Sequence, residues 1–432
     1  MKAYLQTFGC KVNTAETDSI AALLLQNHWE ITENPVQADA LIVNSCTVTA
    51  SGDKRMFQAL RKLRKTAPDA VLLLTGCYVQ AFPKDAAELP EADIITGTKN
   101  RTQIPALLEA YFQNPQRISA VENFTSGDAF ESLPQGSDSA HTRAFLKIQD
   151  GCNRFCSYCI IPYARGRCRS RQLDEIRTEA RKLVSQGYHE IVLCGINLAC
   201  YEQGKQIDIS DAVKAVTESG ISQVRLGSLE PDGLTDEVLL KLSRIPELCP
   251  HFHISVQSGC DRTLKAMHRH YTCDEYAQLL ANIRELFPGC AITTDIMTGF
   301  PGETDADFEE TLNFVRSMKF SEVHVFRYSS RPGTPAANAP EQVPERIKKE
   351  RSDRLIELAR TLHEEYLQSC VGQAHRVLFE RQKDPAFHNG HAGNYAVVLV
   401  RANPGENFRN QIFDIKITGV QNGKLIGEML HI

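Results

Sequence analysis

The chain has 432 residues, of which 42% are hydrophobic and 23% are charged, and its formal net charge is −5. These values exclude a collagen-like, coiled-coil or disordered chain as the dominant state, and they predict two to four domains at about 150 residues each. No apolar run approaches the roughly 20 residues that span a bilayer, and the first residues lack a signal-peptide pattern, so we expect a cytoplasmic protein without a membrane contact. The acidic balance confines any nucleic-acid site to a local patch.

The first part of the chain alternates between strand and helix patterns. The predicted strands lie at 2–7, 38–45, 69–75 and 92–98, with helices at 14–28 and 50–66. This alternation predicts an α/β fold with a doubly wound parallel sheet and helices on its faces. We assign residues 1–115 to this domain and the polar segment 116–140 to a linker.

A second strand–helix series occupies residues 141–368. Its predicted strands lie at 144–149, 190–195, 223–228, 251–257, 291–297 and 322–328. An irregular stretch and a long charged helix near 341–368 follow them. Six such units favour a partial (βα)6 barrel, with fewer strands than the eight of a closed barrel.

The last segment, residues 369–432, loses the helical pattern. Four strands separated by turn residues are predicted at 375–380, 394–400, 411–420 and 424–430. Short strands of this kind favour a small antiparallel β-barrel of the OB-like type.

The strongest local motif is the loop GCNRFCSYC, which carries Cys152, Cys156 and Cys159. Zinc would need a fourth ligand for a closed site, and none follows at the usual spacing. Three thiolates suit a cubane iron–sulfur cluster that keeps one iron open to a small molecule. The loop follows the first barrel strand, at the face where barrel chemistry takes place. A three-cysteine zinc loop or a coincidental spacing is the alternative.

A second set of cysteines is spread along the first domain. Cys10, Cys46 and Cys77 each follow a predicted strand of the same parallel sheet. Because ligands bind beyond the carboxyl ends of such strands, we expect the three thiols to lie along one edge and to hold a second cluster. The alternative is three buried, inert cysteines. The other eight cysteines show no ligand spacing, and apolar packing is the prediction for them.

With both sets placed, the chain resembles a known family over essentially its whole length. The CxxxCxxC loop resembles that of radical S-adenosylmethionine (SAM) enzymes, and the three predicted domains together resemble a methylthiotransferase. The segment GHAGNY at 390–395 resembles a motif of the TRAM domain, an RNA-binding module. The segments that resemble the MtaB-type branch, which modifies threonylcarbamoyladenosine in tRNA, are FGCKVN, CIIPYARG, RLGSLEP, HISVQSG and GFPGET.

The resemblance implies insertion of a methylthio group at carbon 2 of an adenine at tRNA position 37, next to the anticodon. The hydrogen on carbon 2 must be removed, and it is not acidic enough for a side-chain base. Its removal therefore belongs to the cofactors, and no side chain is catalytic by itself. The cluster on Cys152, Cys156 and Cys159 would bind SAM and cleave it to a 5′-deoxyadenosyl radical. The cluster on Cys10, Cys46 and Cys77 would deliver sulfur methylated by another SAM. An electron donor such as flavodoxin or ferredoxin and a sulfur source are implied partners.

Polar residues at the predicted strand ends are the candidates for SAM contacts. They are Tyr158, Gly195, Asn197, Ser228, Glu230, Gln257 and Ser258. For each one, a satisfied hydrogen bond at the barrel rim is the alternative.

Arginines around the first motif are candidates for the RNA, because the guanidinium fork suits phosphate. They are Arg165, Arg167, Arg169 and Arg171. Arg327 and Arg331, at the end of the last barrel strand, are candidates for a substrate contact, with the threonyl carboxylate or with SAM. A basic run at 54–65 favours either a solvated helix face or an RNA contact.

Two other functions remain open at this point. A sister methylthiotransferase would act on isopentenyladenosine in tRNA or on an aspartate of a ribosomal protein. A protein of another class would bind RNA and hold structural metal without catalysis.

Overall fold

The computed structural model describes residues 1–134, 136, 141–202, 206–403 and 405–430. The strands are β1 Lys2–Thr7, β2 Glu30–Ile31, β3 Ala40–Ser45, β4 Val71–Gly76, β5 Ile94–Thr96, β6 Ile118–Ala120, β7 Ala144–Lys147, β8 Gln149–Asp150, β9 Arg169–Ser170, β10 Glu190–Cys194, β11 Gln223–Leu226, β12 Ser228–Leu229, β13 His251–Ile254, β14 Ala291–Thr298, β15 Glu322–Arg327, β16 Ala374–Phe379, β17 Phe387–Ala392, β18 Val397–Arg401, β19 Ile412–Gln421 and β20 Lys424–Met429. The helices are α1 Lys11–Gln26, α2 Ala50–Thr66, α3 Cys77–Ala81, α4 Pro83–Ala87, α5 Ile104–Gln113, α6 Ile161–Arg165, α7 Leu173–Ser185, α8 Ile209–Thr217, α9 Asp236–Ser243, α10 Asp261–Ala266, α11 Cys273–Leu286, α12 Asp305–Met318 and α13 Glu345–Ser369. None of the helices in these ranges is long and apolar enough to cross a membrane.

The N-terminal sheet has the strand order β2-β1-β3-β4-β5-β6, and all its neighbours are parallel. The predicted parallel α/β fold is therefore confirmed. Strands β3 and β4 are buried along their whole length, as their continuous apolar sequences require in a sheet covered on both faces. The last strand, β6, lies within the segment predicted as a linker, so the sheet continues past residue 115. Residues 135 and 137–140 of that segment lie outside the described residues.

The central domain is a partial barrel of parallel strands. Strands β7, β10 and β11 form one sheet, and β12, β13, β14 and β15 form a second in the same rotational order. The third strand is interrupted at Gly227, where a Cβ atom would lie 2.9 Å from the carbonyl oxygen of Leu193. The six predicted strand–helix units are thus present. Helix α1 of the first domain packs across the inner face, where Val12 contacts Val192 and Cys194.

The C-terminal barrel is closed, with the strand order β16-β17-β18-β20-β19. It is not wholly antiparallel as predicted, because β18 and β20 run parallel. The sequence analysis also missed β17, whose sequence FHNGHA has little β propensity and is held by its two neighbours. Residues 404 and 431–432 lie outside the described part of this domain.

The C-terminal barrel docks on the central domain through the turn between β17 and β18. Arg225 of β11 donates to the carbonyl oxygen of Gly393 at 2.7 Å. The ring of Tyr395 lies 4.7 Å from the Arg225 guanidinium and 5.1 Å from the Lys11 amine. The GHAGNY segment therefore forms a domain contact, and Lys11, beside Cys10, takes part in it.

Candidate active site

The first group of thiols lies at the carboxyl edge of the N-terminal sheet. Cys10 directly precedes α1 after β1, Cys46 follows β3, and Cys77 begins α3 after β4. Strands β1, β3 and β4 are neighbours in the sheet, so the three strand ends converge as predicted. The sheet order reverses between β1 and β3, which is where open α/β sheets place their ligands. We call Cys10, Cys46 and Cys77 the sheet trio.

Two glycines allow these loops to approach each other. Gly9 has φ +108°, and a Cβ atom there would lie 2.9 Å from the Sγ of Cys46. Gly76 has φ +102°, and a Cβ atom there would lie 2.5 Å from the carbonyl oxygen of Ser45. Both positions combine a left-handed backbone with no room for a side chain, so only glycine fits them.

Asn13 links the loops that carry Cys10 and Cys46. Its Nδ2 donates to the carbonyl oxygens of Phe8 at 2.7 Å and Ser45 at 2.9 Å. The sequence analysis quoted this residue within FGCKVN but gave it no role. The signal that points to Asn13 is its position, three residues after Cys10 and in the first turn of α1.

Arg165 connects the sheet trio to the barrel. Its side chain is fully buried, and its Nε donates to the Sγ of Cys77 at 3.2 Å. Its Nη1 donates to Glu16 at 2.7 Å and to Asp150 at 3.0 Å, and its Nη2 donates to Asn13 at 2.7 Å. The prediction that Arg165 binds RNA is therefore wrong, because every face of the guanidinium is used inside the protein.

Arg165 belongs to a cluster of buried ion pairs. Burial disfavours the ionised form of Glu16, but Arg101, Arg165 and Lys147 together lower the pKa of Glu16 to about 2. Burial raises the pKa of Cys46 and raises that of Cys77 to about 12, although Arg165 acts in the opposite direction on both. Arg165 alone does not offset burial, so the metal-free site favours neutral thiols, and a bound metal ion would supply the charge that stabilises thiolates.

The second group of thiols comes from one loop between β8 and α6. We call Cys152, Cys156 and Cys159 the loop trio. Gly151, at φ +72°, starts the loop, and a Cβ atom there would overlap the carbonyl group of Arg167. Burial raises the pKa of Cys152 to about 12 and raises that of Cys159 further, so this loop also favours neutral thiols in the absence of metal.

Arg269 has the same position beside the loop trio that Arg165 has beside the sheet trio. Its Nη1 lies 3.5 Å from the Sγ of Cys156, and its Nη2 donates to Glu230 at 2.6 Å and to the carbonyl oxygen of Ser255 at 2.6 Å. The guanidinium is almost fully buried. No spacing in the sequence indicated this residue, which lies 113 positions from Cys156.

The spacing of the thiols tests which metal centre fits. Among the described residues, the one group of three metal-binding atoms that lie within 4.8 Å of one another is Cys260, Asp307 and Glu310. Neither trio is that compact, whereas sulfur ligands on a single zinc at about 2.3 Å would be. Three thiols spaced more widely than a single zinc requires fit a polynuclear iron–sulfur cluster.

Four predicted SAM contacts lie at the barrel rim. Tyr158 is half-buried and packs edge-on against Phe300, with 6.5 Å between ring centroids. Gln257 has φ +74° and its backbone pairs with β14. Ser228 is exposed at the start of β12. Glu230 faces the loop trio through Arg269, and burial raises the pKa of its carboxyl group.

The other three predicted SAM contacts have internal partners. Gly195 permits close packing, since a Cβ atom there would lie 2.8 Å from Oε1 of Gln149. Asn197 is buried, and its Nδ2 donates to the Sγ of Cys200 at 2.9 Å. Ser258 is buried, and its hydroxyl accepts from the backbone of Cys260 at 3.3 Å. The structure assigns packing and capping contacts to these residues.

The remaining predicted arginine contacts divide in the same way. Arg171 is buried against Glu175 and the carbonyl oxygen of Leu133, and Arg331 is buried against Thr47 and Asp53. The prediction of an RNA contact for Arg171, and of a threonyl-carboxylate or SAM contact for Arg331, is therefore wrong, because both side chains are buried in contacts within the protein.

Three arginines keep some access to solvent. Arg169 is half-buried, 3.5 Å from Asp150. Arg167 and Arg327 are exposed. Arg167 and Arg169 stay predictions for RNA contact, and Arg327 stays a prediction for the threonyl carboxylate or SAM.

A polar network on the inner face of β13, β14 and β15 was missed. The Nε2 of His253 lies 3.2 Å from Oδ2 of Asp295, and Ser255 donates to the same oxygen at 2.7 Å. The rings of His253 and His324 are 5.6 Å apart, and His324 is 43% exposed. Alternate residues of β15 face this open side while Val323 and Val325 pack behind it. We call His253, Asp295 and His324 the histidine wall.

Two family models match the chain, and each matched range includes one of the trios. The Radical SAM superfamily model matches residues 146–315, and the model described as "Uncharacterized protein family UPF0004" matches residues 2–97. Among solved structures, a radical SAM methyltransferase, TsrM, from Kitasatospora setae has a TM-score of 0.58 at 13% identity, over 89% of this chain and 78% of that chain. The fold and the cysteine loop thus define a radical SAM enzyme.

Curated relatives extend over all three domains. A threonylcarbamoyladenosine tRNA methylthiotransferase, MtaB, from Bacillus subtilis is 38% identical over 95% of this chain and 92% of its own length. A tRNA-2-methylthio-N(6)-dimethylallyladenosine synthase from Carboxydothermus hydrogenoformans is 35% identical over 98% and 97%. The chain belongs to the radical SAM methylthiotransferases of tRNA modification, a family that uses SAM and two [4Fe–4S] clusters.

Proposed function

We propose that this enzyme methylthiolates carbon 2 of N6-threonylcarbamoyladenosine at tRNA position 37, next to the anticodon. The observation that carries the choice of substrate is the histidine wall. A threonylcarbamoyl group ends in a carboxylate and a hydroxyl, which imidazole N–H groups can bind. A dimethylallyl group offers no acceptor to the exposed imidazole of His324, so it forgoes a hydrogen bond to a charged group, worth about 1.5–3 kcal/mol. Relatives named for threonylcarbamoyladenosine, at 35–38% identity, support the same choice.

The two trios are the proposed ligands of the two clusters. Cys152, Cys156 and Cys159 would hold the cluster that binds SAM, and Cys10, Cys46 and Cys77 would hold the auxiliary cluster. When bound, the clusters and SAM supply the hydrogen abstraction, the sulfur and the methyl group. An electron donor of the flavodoxin or ferredoxin class and a separate sulfur source complete the proposed set of partners.

The protein's own residues position these groups. Arg165 and Arg269 each hold a cysteine from one trio by a hydrogen bond, and each is fixed in turn by buried carboxylates. Tyr158, Gln257 and Glu230 lie at the rim beside the loop trio, where they would orient SAM. Asp295 and Thr293 engage both ring nitrogens of His253, and this fixed ring lies against His324, which is the open donor of the wall.

The histidine wall gives a direct test of the substrate. Replacement His324→Leu removes an exposed donor and keeps the strand intact. We expect kcat/KM for tRNA bearing threonylcarbamoyladenosine to fall by about 10-fold or more, the equivalent of one hydrogen bond to a charged group. The measurement is the methylthiolated nucleoside, quantified by mass spectrometry after anaerobic turnover.

Glu285→Leu is the matched control, because Glu285 is exposed on α11 and loses a polar group to leucine in the same way. This control should keep the wild-type rate. Wild-type enzyme that methylthiolates dimethylallyladenosine in preference to threonylcarbamoyladenosine would contradict the proposed function. Equal rates for His324→Leu and Glu285→Leu would remove the role of the wall.

A further inference from the structure

The exposed face of α2 carries a continuous basic stripe. Six residues of this helix between positions 54 and 65 are exposed, and they are Lys54, Arg55, Gln58, Arg61, Lys62 and Lys65. Five of the six are cations and none is acidic, in a chain whose net charge is −5. The opposite face holds Met56, Leu60 and Leu63 against the core of the first domain. Packing therefore explains the apolar face but does not require the basic one.

Most of these cations have no counter-ion. Within the described residues, Arg61 is the one member of the stripe with an ion pair, at 3.6 Å from Glu91. Exposed cations without an ion pair also occur elsewhere in the described residues, for example Lys214 and Arg244, so the distinctive feature of α2 is that five cations share one face with no acidic residue among them. Cations gathered on one face without carboxylates produce a positive potential at the surface, which attracts a polyanion.

The stripe begins beside the sheet trio and the end of the last barrel strand. Helix α2 starts four residues after Cys46, and its first turn is fixed to the end of the last barrel strand. The backbone N–H of Ala50 donates to Ser329 at 3.1 Å, and Arg331 donates to Asp53 at 2.6 Å. From Lys54 to Lys65 the helix extends about 16 Å away from this contact. A nucleic-acid strand has one phosphate per roughly 3.4 Å along its axis, so this length spans several phosphates.

Three other basic candidates are occupied. Arg165, Arg171 and Arg331 are buried in ion pairs, and the turn of the C-terminal barrel that carries Gly393 packs against Arg225. Arg167 and Arg327 stay exposed, whereas α2 offers five cations on one face. We propose that the basic stripe of α2 binds the phosphate backbone of the anticodon stem while the target adenosine lies at the histidine wall. This assignment depends on the proposed tRNA substrate and adds the surface that holds it.

Neutralisation of the unpaired cations tests the assignment. The stripe variant carries Lys54→Gln, Arg55→Gln, Lys62→Gln and Lys65→Gln, which preserve helix propensity. The control variant removes as many exposed cations from the other side of the barrel, through Arg181→Gln, Lys182→Gln, Lys214→Gln and Arg244→Gln. Both are compared with wild type as anaerobically reconstituted full-length protein, with tRNA binding measured between about 50 and 200 mM salt.

We expect the Kd of the stripe variant to rise about 10-fold or more at 100 mM salt, and its log–log salt dependence to become shallower by about 3. The control variant should stay within about twofold of wild type, since it lacks phosphate contacts. Equal iron content and thermal midpoints establish that both variants are folded. Binding by the stripe variant with the affinity and salt dependence of the control would overturn the assignment.

The result separates this assignment from the proposed function. If wild type binds tRNA through the stripe but forms no methylthiolated threonylcarbamoyladenosine, the proposed substrate fails and the surface stands. If wild type and the stripe variant form that product at the same rate at limiting tRNA concentration, the surface fails and the substrate stands.

Discussion

The sheet trio and the loop trio reach similar ligand sets by different routes. The loop trio comes from eight consecutive residues, so its chemistry is written in local spacing. The sheet trio comes from three strand ends, and only the order of β1, β3 and β4 brings it together. The two sites share one device, a buried arginine that donates to one cysteine and is fixed by carboxylates. A three-thiol site therefore depends on a polar partner that secures it as well as on its ligands.

Loss of a ligand from either trio should have the largest effect. We expect Cys46→Ala and Cys156→Ala each to lower the iron content by about half and to abolish methylthiolation, because each removes one of three ligands from a separate cluster. Iron analysis of anaerobic protein and nucleoside mass spectrometry provide the measurements. Cys290→Ala, in the buried core outside both trios, is the control and should keep full iron. Full iron in Cys46→Ala would contradict the second cluster.

Loss of the securing arginine should rank next and should distinguish the two sites. Arg165→Met removes the donors to Cys77, Glu16, Asp150 and Asn13 at once, although Arg101 and Lys147 stay paired with the carboxylates, and it should destabilise the metal-free protein by about 2–4 kcal/mol. Arg269→Met leaves Glu230 without its ion pair, but this carboxyl group can take up a proton because burial raises its pKa, so we expect a smaller loss. Arg177→Met removes a surface ion pair and should leave the stability close to that of wild type. Denaturant unfolding measures all three, and equal losses for Arg165→Met and Arg269→Met would break the distinction.

The pH dependence of stability should differ between Glu16, which pairs with Arg165, and Glu230, which pairs with Arg269, and this effect should be smaller than the previous ones. The pKa of Glu16 is lowered from 4.5 to about 2, so its contribution to stability is complete above pH 4.5 and is lost as the pH falls toward 2. Burial raises the pKa of Glu230, so its contribution moves in the opposite direction and grows as the pH falls. Glu16→Gln should therefore flatten the loss of stability below pH 4.5, measured by denaturant unfolding.

Glu230→Gln is the matched comparison and should leave that loss in place. A steep acid loss in Glu16→Gln equal to that of wild type would show that other carboxylates dominate. Glu380 is the next candidate, because its pKa is also lowered to about 2, against burial, by His391 and Arg143.

Periodicity and spacing were sufficient for most of the fold and for the two thiol groups. The predicted strands agree with the structure to within a few residues because β3, β4 and β10 are short apolar runs bounded by turn residues. Even the sheet trio followed from the rule that parallel strands place their carboxyl ends together. Strand β17 was missed because its glycine and polar residues have no strand pattern, and barrel closure decides its conformation.

Side-chain partners were beyond the reach of the sequence. Arg171 pairs with Glu175 at i+4, a spacing that the sequence shows, but Arg165 and Arg331 are buried by carboxylates that spacing cannot indicate. Glu16 lies 149 positions from Arg165, and Asp53 lies 278 positions from Arg331. Long-range ion pairs of this kind depend on how the domains dock, whereas the exposed face of α2 could be read from helical periodicity alone.

The short distance along the chain between Cys159 and Arg165 has a consequence for assembly. Helix α6 begins two residues after Cys159, and its fifth and last residue is Arg165, which contacts Cys77. Any adjustment of the loop as it receives its metal is transmitted through that single turn to the other metal-binding pocket. We expect maturation of this enzyme to be cooperative, with occupancy of one pocket raising the affinity of the other, since linkage acts equally in both directions.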